Sequence, residues 1–494
     1  MNEYEKSLCH KSNNELGEVE LNRIRSLVAH VKRGIEIFSL VPQSAEEYAS
    51  NPKAFIEKYG LKLTEYDIDY CMTSKYDKEK LVAIESKDYM DLVPESFYRY
   101  RQFLSNKIFV RDKMRDEYCA PTDEKVKVWR QRQIDRCNGD IGGANLSFIH
   151  AICCFEMASG CSVGCDFCGL GAKGLQKLFR YTEENAALYR NVLNILKDRF
   201  GIAAGMGMMY LATEPLDNPD YELFEKDYRD IFKYTPQITT AVPDRNIERT
   251  RQLVTDLEKK GGFIHRFTVR SLDTALKLFE AFTPEELINV EMIPQYEDAP
   301  GFTPYTVVGN ESYKEGRTIS ALPEDFDENG TYTIDAGTIC CIDGFCVNFC
   351  DKTIKLFTPC HMTSDYPEGI AIADKVEFTD ADDFKKKLDY LIDKYMVNEV
   401  PKEEPLRLYS YFHRRTIKGE DALVSLHGGE ALLLKKLPKD VGVPVIECLI
   451  EGNKNKHEIV KEVVEKTGAS AERVFWMINQ LWKMGFIVDP LFFR

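Results

Sequence analysis

Three cysteines within residues 157–169 have a spacing that suits an iron–sulfur cluster. Cys161, Cys165 and Cys168 form the pattern Cys-x3-Cys-x2-Cys. Cysteine thiolates are the usual ligands of [4Fe–4S] clusters, so three of them can hold three irons and leave the fourth open to a small molecule. Zinc sites usually have four Cys or His ligands in closely spaced pairs, and the nearest other thiols lie upstream in the apolar run 148–156. The spacing therefore favours a cluster over a zinc site or three buried thiols.

Composition and charge limit the classes of protein that this chain can belong to. Fifteen cysteines in 494 residues are too dilute for a disulfide scaffold. The first residues lack the pattern of a signal peptide, and no apolar run reaches the length of a membrane span, so we expect a cytoplasmic protein without a membrane partner. The net charge of −15 argues against a nucleic-acid partner. It is compatible with a basic or neutral peptide.

Hydrophobic periodicity divides the chain into four predicted regions. Residues 1–145 form an N-terminal helical region. Residues 146–330 alternate strand and helix, which implies an α/β fold with a parallel sheet. Residues 331–418 predict a strand hairpin and a helical extension, and residues 419–494 predict a winged-helix-like domain.

The alternating region predicts a partial (β/α)6 barrel. Its predicted strands are 148–156, 206–213, 237–242, 264–270 and 287–293, and its predicted helices are 181–200, 244–260 and 272–282. Active sites of barrels lie at the carboxyl ends of the strands, and the cysteine loop follows the first predicted strand. Further strands are predicted at 332–335, 338–349 and 352–358, and the tail should contain helices 456–467 and 469–484 followed by a strand at 485–489. The three arginines of helix 126–136 are expected on a solvated or salt-bridged face.

Beyond the cysteines, the chain resembles one branch of the radical SAM superfamily. The branch comprises peptide epimerases of the polytheonamide type, which convert L-residues to D-residues in ribosomally made peptides. The stretches that carry the resemblance are 155–169, 210–221, 235–241, 249–251, 282–287, 344–348 and 359–369. The cysteine triad is specific to the superfamily, and the other stretches narrow the resemblance to the branch. The chain departs from it at Phe167 and Tyr366, where members tend to have Trp.

The resemblance implies a [4Fe–4S] cluster at the triad and S-adenosylmethionine (SAM) as the second cofactor. The implied cofactor-binding residues are Phe167, Thr213, Glu214, Thr239, Thr240 and Arg270. Glu214, in the 212–215 stretch with Thr213, would bind the amino group of SAM, Thr239 and Thr240 would reach the ribose, and Arg270 would pair with the carboxylate. The alternative for Glu214 is an acid at a helix N-terminus, and for the threonines it is plain strand propensity.

An epimerase of this kind needs one thiol beyond the triad. A SAM-derived radical removes a Cα hydrogen from the peptide, and a cysteine returns a hydrogen atom to the opposite face. The candidates are Cys340, Cys341, Cys346, Cys350 and Cys360. We predict Cys360 as the catalytic donor, because Pro359 fixes the backbone beside it, with Cys341 second. A second cluster held by four of these five cysteines is the alternative.

The implied partners are a precursor peptide, with its leader and core segments, and an electron donor such as flavodoxin or ferredoxin. The tail is a candidate for peptide recognition. Within the same enzyme class, the alternatives are thioether crosslinking or backbone excision. A non-catalytic Fe–S regulator that binds peptides is the alternative from another class, and the acidic charge disfavours a tRNA-modifying enzyme.

Overall fold

The computed structural model describes residues 17–76, 93–255, 257, 259–303, 305–313, 337–417, 419–427 and 431–493. These residues form a mixed α/β protein, as predicted. The chain divides into two compact units. The first unit comprises Met1–Asp112, Glu214–Leu216 and Lys233–Pro304, and the second comprises Lys113–Thr213, Asp217–Phe232 and Tyr305–Arg494.

The first unit combines a helical layer with a small parallel sheet. Its helices are α1 (Glu18–Leu40), α2 (Ser44–Ser50), α3 (Pro52–Lys58), α4 (Glu65–Tyr76), α5 (Glu95–Lys113, whose last residue belongs to the second unit), α9 (Ile247–Val254) and α10 (Leu272–Ala281). Its strands are β4 (Thr239–Thr240), β5 (His265–Val269) and β6 (Val290–Pro294), which pair in parallel in the order β4-β5-β6. Each of β4 and β5 is followed by a helix, so the unit contains successive βα connections.

The second unit is built on a four-stranded sheet in the order β1-β7-β8-β9. The strands are β1 (Ala151–Glu156), β7 (Ile342–Asn348), β8 (Thr353–Pro359) and β9 (Ile370–Glu377). β1 and β7 are parallel, whereas β8 and β9 are antiparallel to their neighbours. Every residue of β1 and β7 is buried, which explains why β1 is a nearly continuous apolar run. β7 also buries two polar residues, Asp343 and Asn348.

Helices cover the sheet of the second unit, and three of the four begin at a side-chain cap, at Asp123, Thr182 and Asp380. They are α6 (Glu124–Asp140), α7 (Glu183–Phe200), α8 (Tyr221–Phe232) and α11 (Ala381–Tyr395). The side chain of Thr182 accepts from the amide of Asn185 and so starts α7 at the predicted position. The Phe200 ring stacks on Phe345 of β7 at 5.7 Å, which places α7 against one face of the sheet.

The C-terminal part of the chain contains a small sheet and three helices. The sheet is β10 (Phe412–Ile417), β11 (Glu420–Ser425) and β12 (Ala431–Leu433), and the helices are α12 (Gly442–Glu451), α13 (Lys456–Thr467) and α14 (Ala471–Lys483). Asn455 and Glu458 form a capping box that fixes the start of α13. The apolar stripe of α14 belongs to the core, since Val474 and Ile478 are fully buried. The predicted strand 485–489 is reduced to one bridge between Ile487 and Leu408.

Three predicted features differ from the structure. Residues 206–213 contain a single bridge, between Met208 and Cys154, instead of a buried strand. Helix 244–260 is shorter, at Ile247–Val254. The arginines Arg130, Arg132 and Arg136 do not lie on a solvated face, because all three are buried; the salt-bridged alternative holds for the last two, which pair with carboxylates.

The predicted strand at 332–335 lies outside the described residues. The partial (β/α)6 barrel and the four predicted domain boundaries stay predictions. None of the helices within the described residues is long and apolar enough to cross a membrane.

Candidate metal and cofactor site

The three cysteines lie on a hairpin that follows β1. Its base is the pair β2 (Ala158–Ser159) and β3 (Lys177–Leu178). Further out, the amide of Cys161 donates to Lys173 O (2.8 Å), and the amide of Leu175 donates back to Cys161 O (3.1 Å). Backbone pairing therefore fixes the first cysteine at the point where the hairpin opens into the loop.

Asparagines hold the base and the tip of this hairpin through backbone carbonyls. Asn218 Nδ2 donates to Met157 O (3.0 Å) and Phe179 O (2.7 Å), on the two sides of the base. Asn310 donates from its amide to Cys168 O (2.9 Å) and from Nδ2 to Cys165 O (3.0 Å). Asn218 lies within the 210–221 stretch that carries the resemblance. The sequence alone assigned no role to either asparagine, because each acts on backbone atoms of a segment distant in the chain.

The sulfurs of the triad are half-buried and accept hydrogen bonds from nearby amides. Cys161, Cys165 and Cys168 all have intermediate exposure. The amide of Val163 donates to Cys161 Sγ (3.5 Å), and the amide of Ala172 donates to Cys168 Sγ (3.4 Å). Amide donors stabilise negative charge on sulfur and tune the potential of a cluster that the thiolates hold. The donor set of three thiolates with amide support therefore fits a [4Fe–4S] cluster.

A carboxylate anchors the loop between the first two cysteines. Asp217 accepts the amide of Ser162 (2.8 Å) and also its hydroxyl. Two hydrogen bonds to one carboxylate fix the backbone directly after Cys161. Asp217 lies within the 210–221 stretch that carries the resemblance, but the sequence alone assigned it no role.

Phe167 is packed against a second aromatic ring. Its ring stacks on Tyr305 with centroids 4.6 Å apart and planes at 7°. The pair orients the residue that precedes Cys168. Its predicted contact with SAM stays a proposal.

The other predicted SAM contacts lie mainly in the first unit, around the carboxyl end of β4. Glu214 is buried, and its carboxylate accepts the amides of Leu216 (3.0 Å) and Ala241 (2.9 Å). Arg270 Nε donates to Ala241 O (3.1 Å). Glu214 and Arg270 therefore both bind the backbone of Ala241. Thr213, in contrast, belongs to the second unit.

Thr239 and Thr240 are not equivalent. Side chains of neighbouring strand residues point to opposite faces. Thr240 is buried, and its hydroxyl accepts the amide of Val242 (3.1 Å). Thr239 is half-buried. The proposed ribose contact is therefore better suited to Thr239.

Both predicted donor cysteines lie at the same edge of the four-stranded sheet. Cys341 precedes β7, and Cys360 follows the antiparallel strand β8. Cys350 follows β7 at the opposite edge, where its sulfur donates to Lys177 O (3.7 Å). A seven-residue strand spans roughly 20 Å, so Cys350 and Cys360 cannot ligate one cluster. A second cluster with both Cys350 and Cys360 among its ligands is therefore ruled out.

Backbone contacts connect this edge to the cysteine loop. A side chain at Gly169, directly after Cys168, would lie 2.6 Å from Ile339, which is two residues before Cys341. The connecting hydrogen bonds are Asn310 N to Cys168 O (2.9 Å), Gly309 N to Pro367 O (2.7 Å) and Cys360 N to Gly369 O (3.0 Å). The Cys360 segment is therefore linked to the cysteine loop indirectly, through residues 367–369 and 309–310. The base of the cysteine hairpin lies at the opposite edge, beside Cys350.

The two candidate donors differ in exposure. Cys341 is half-buried, whereas Cys360 is buried with 2% of its surface exposed. Burial raises the pKa of the Cys360 thiol well above its usual range.

A second compact group of ligand-type side chains lies beneath this edge. One ligand atom from each of Cys137, His150 and Asp343 lies within 4.8 Å of the others, and all three residues are buried. His150 Nδ1 is hydrogen-bonded to Asp343, and its Nε2 contacts Asn145 Oδ1 at 2.8 Å. Both ring nitrogens already have protein partners, so the group is explained as an internal hydrogen-bond network.

Comparison with known proteins gives one full-length relative. The chain is 31% identical over 486 residues, 94% of its length and 88% of the relative's, to "Uncharacterized protein y4wI" of Sinorhizobium fredii (strain NBRC 101917 / NGR234). No protein-family model matches the chain. Part of the chain, 41%, is similar to 71% of the crystal structure of BtrN in complex with AdoMet and 2-DOIA, at 15% identity and a TM-score of 0.27, a level of similarity that supports no conclusion about fold or activity. The relation over nearly the whole length shows that the chain belongs to the same protein family as y4wI of Sinorhizobium fredii.

Proposed function

We propose that this protein is a radical SAM peptide epimerase that converts L-residues to D-residues in a ribosomally made precursor peptide. The observation that carries the proposal is the loop with Cys161, Cys165 and Cys168, in which three half-buried thiols are held by backbone pairing and supported by amide donors. When bound, a [4Fe–4S] cluster and SAM supply the carbon-centred radical that removes a Cα hydrogen. The resemblance of the other stretches to peptide epimerases favours epimerisation over other reactions of this enzyme class.

The residues around β4 are proposed to hold SAM. The Glu214 carboxylate would bind the ammonium group, Arg270 would pair with the carboxylate as a two-pronged donor, and Thr239 would reach the ribose. Glu214 and Arg270 both bond to the backbone of Ala241. A single backbone segment would therefore set the spacing of the two groups that bind the amino-acid part of SAM.

Cys360 is proposed to return the hydrogen atom. Its S–H bond breaks and a new Cα–H bond forms on the opposite face of the peptide, which leaves a thiyl radical on the sulfur. One electron from a donor such as flavodoxin or ferredoxin and one proton from solvent restore the thiol. One observation supports this role: backbone hydrogen bonds link the Cys360 segment, through residues 367–369 and 309–310, to the cysteine loop.

The test is the chirality of the peptide product made by three cysteine variants. The precursor would be the short peptide encoded beside the enzyme's gene, incubated anaerobically with reconstituted enzyme, SAM and reductant. Cys360→Ala should still cleave SAM but form no D-residues. Cys346→Ala is the matched control, because Cys346 is a buried cysteine within β7, and it should epimerise normally.

The same set of variants can reject the donor assignment. D-residues at the normal rate from Cys360→Ala would place the donor elsewhere. Their loss in Cys341→Ala alone would assign the role to that half-buried thiol. A product that carries a crosslink or lacks a backbone segment would reject epimerisation itself.

A further inference from the structure

The segment around Cys360 is held by two charged side chains of α6. Arg136 and Asp140 lie one helical turn apart, are both buried, and form an ion pair. Arg136 Nη2 donates to Pro359 O, the carbonyl before the cysteine. Asp140 Oδ1 accepts the amide of His361 (3.2 Å), directly after the cysteine. The pair therefore contacts the backbone on both sides of Cys360.

Stability is a weak reason for a buried ion pair at this place. Removing two charges from water costs free energy that their attraction only partly offsets. Apolar residues of similar volume at the same place often give equal stability. Here the same guanidinium also donates to Thr358 Oγ1 (3.0 Å). Arg136 therefore makes two hydrogen bonds to residues 358–361, and Asp140 makes a third. Such a fork fixes direction as well as distance. The geometry is that of a clamp on residues 358–361.

We propose that Arg136 and Asp140 are positioning residues that set the place of the Cys360 thiol for hydrogen return. The inference rests on the proposed function, since it assumes that Cys360 is the donor. Misplacement of a reacting group by about 1 Å can cost up to roughly a hundredfold in rate. The radical on the peptide would then be lost by other routes before the thiol reaches it. SAM would still be consumed, but fewer D-residues would form for each SAM cleaved.

The chain supplies a matched control on the same helix. Arg132 is also buried, donates to a backbone carbonyl (Val397 O, 2.6 Å) and pairs with a carboxylate (Asp489, 2.7 Å). It makes the same kinds of contact one turn earlier, but with residues outside 358–361. Arg136→Lys and Arg132→Lys each keep the charge and remove the fork, so they disturb folding in comparable ways.

Two measurements separate positioning from a general structural role. The first is the ratio of 5′-deoxyadenosine to D-residues, which should rise about tenfold to a hundredfold in Arg136→Lys and in Asp140→Asn and stay at the wild-type value in Arg132→Lys. The second is the rate of Cys360 alkylation in the apo protein, followed by mass spectrometry of its peptide. This rate should rise in the first two variants only, because the clamp keeps the thiol buried.

The outcomes distinguish this inference from the proposed function. If Cys360→Ala abolishes D-residues but Arg136→Lys leaves the ratio unchanged, the donor assignment stands and the positioning role is wrong. If Arg132→Lys raises the ratio as much as Arg136→Lys does, the effect is general destabilisation and the inference is overturned. If Cys360→Ala epimerises normally, the donor assignment itself is wrong, whatever the alkylation rates show.

Discussion

Two glycines in the cysteine loop allow a sharp test of how the hairpin holds the cluster ligands. Gly160 and Gly164 both have a positive φ, +85° and +63°. A side chain at Gly160 would place Cβ 2.3 Å from the carbonyl oxygen of Gly174, whereas one at Gly164 would meet nothing within 4 Å. Gly160→Ala and Gly164→Ala therefore share the backbone strain of a left-handed residue but differ in the clash.

The expected difference follows from the bonds that the clash would break. Left-handed backbone costs roughly 1–2 kcal/mol for an L-residue, and this applies to both variants. The clash at Gly160 can be relieved only if the hairpin opens at Cys161. This opening breaks the two backbone hydrogen bonds of Cys161, with Lys173 and Leu175. At about 1 kcal/mol each, the additional loss is about 2 kcal/mol, or roughly thirtyfold in the equilibrium between closed and open loop.

The assay is iron content after anaerobic reconstitution under limiting iron and sulfide. Gly164→Ala should retain most of the wild-type iron and visible absorbance, and Gly160→Ala should retain far less. Circular dichroism would confirm that both variants are folded. Equal iron content in the two variants would refute the claim that hairpin pairing presents the triad.

Two further predictions concern the tail and the response to acid. Trp476 on α14 is 50% exposed, whereas Val474 and Ile478 of the same helix are buried. We therefore expect Trp476→Ala to weaken precursor binding in a fluorescence titration without changing SAM cleavage. Unchanged affinity would remove this surface as a leader site. Burial lowers the pKa of His265 to about 4, and its Nδ1 accepts the amide of Ile238 (3.2 Å) as a neutral ring. As the pH falls, the imidazole of His265 is protonated in the unfolded chain before it is protonated in the folded chain. Its contribution to the free energy of unfolding should therefore fall by about 2 kcal/mol as the pH is lowered from about 7.5 to about 5. His265→Asn keeps an acceptor but cannot titrate, so its acid sensitivity in denaturant titrations should be smaller by that amount; equal sensitivity would contradict the assignment.

Peptide recognition by the tail is better tested by a surface substitution than by truncation. Asp489 is the partner of Arg132 on α6, and Phe492 packs against Trp129 at 5.5 Å. Removal of the tail would therefore expose α6, including the face that holds the Cys360 segment. A loss of activity after truncation would not identify a leader-binding surface.

Local signals predicted the elements whose ends are fixed by nearby residues. Helix 456–467 was predicted with its observed ends because the cap at Asn455 and the stop at Gly468 act within the element. The apolar run 206–213 was predicted as a strand and forms a single bridge. An apolar run shows that a segment is buried, but strand structure also needs a partner along its length, which one sequence does not reveal.

In the candidate site too, features fixed by nearby residues could be predicted, and features fixed by distant residues could not. The triad could be predicted because its three ligands lie within eight residues. The partners of Cys360 could not, since Arg136 is 223 positions away from Pro359, the residue whose carbonyl it holds. Its contact requires α6 to pack beneath the end of β8, and hydrophobic periodicity does not specify which helix lies beneath which strand. For the same reason the three arginines were expected on a solvated or salt-bridged face, although they are buried.

The most direct test of the central claim is the mass of the wild-type product formed in D2O. Hydrogen return from an exchangeable thiol predicts a gain of about one mass unit for each inverted residue, whereas the same reaction in H2O should leave the peptide mass unchanged. The deuterium should lie at the Cα of the D-residues and be absent from the Cys360→Ala product. A product that loses hydrogen, gains a crosslink or contains D-residues without deuterium would contradict epimerisation through a cysteine donor.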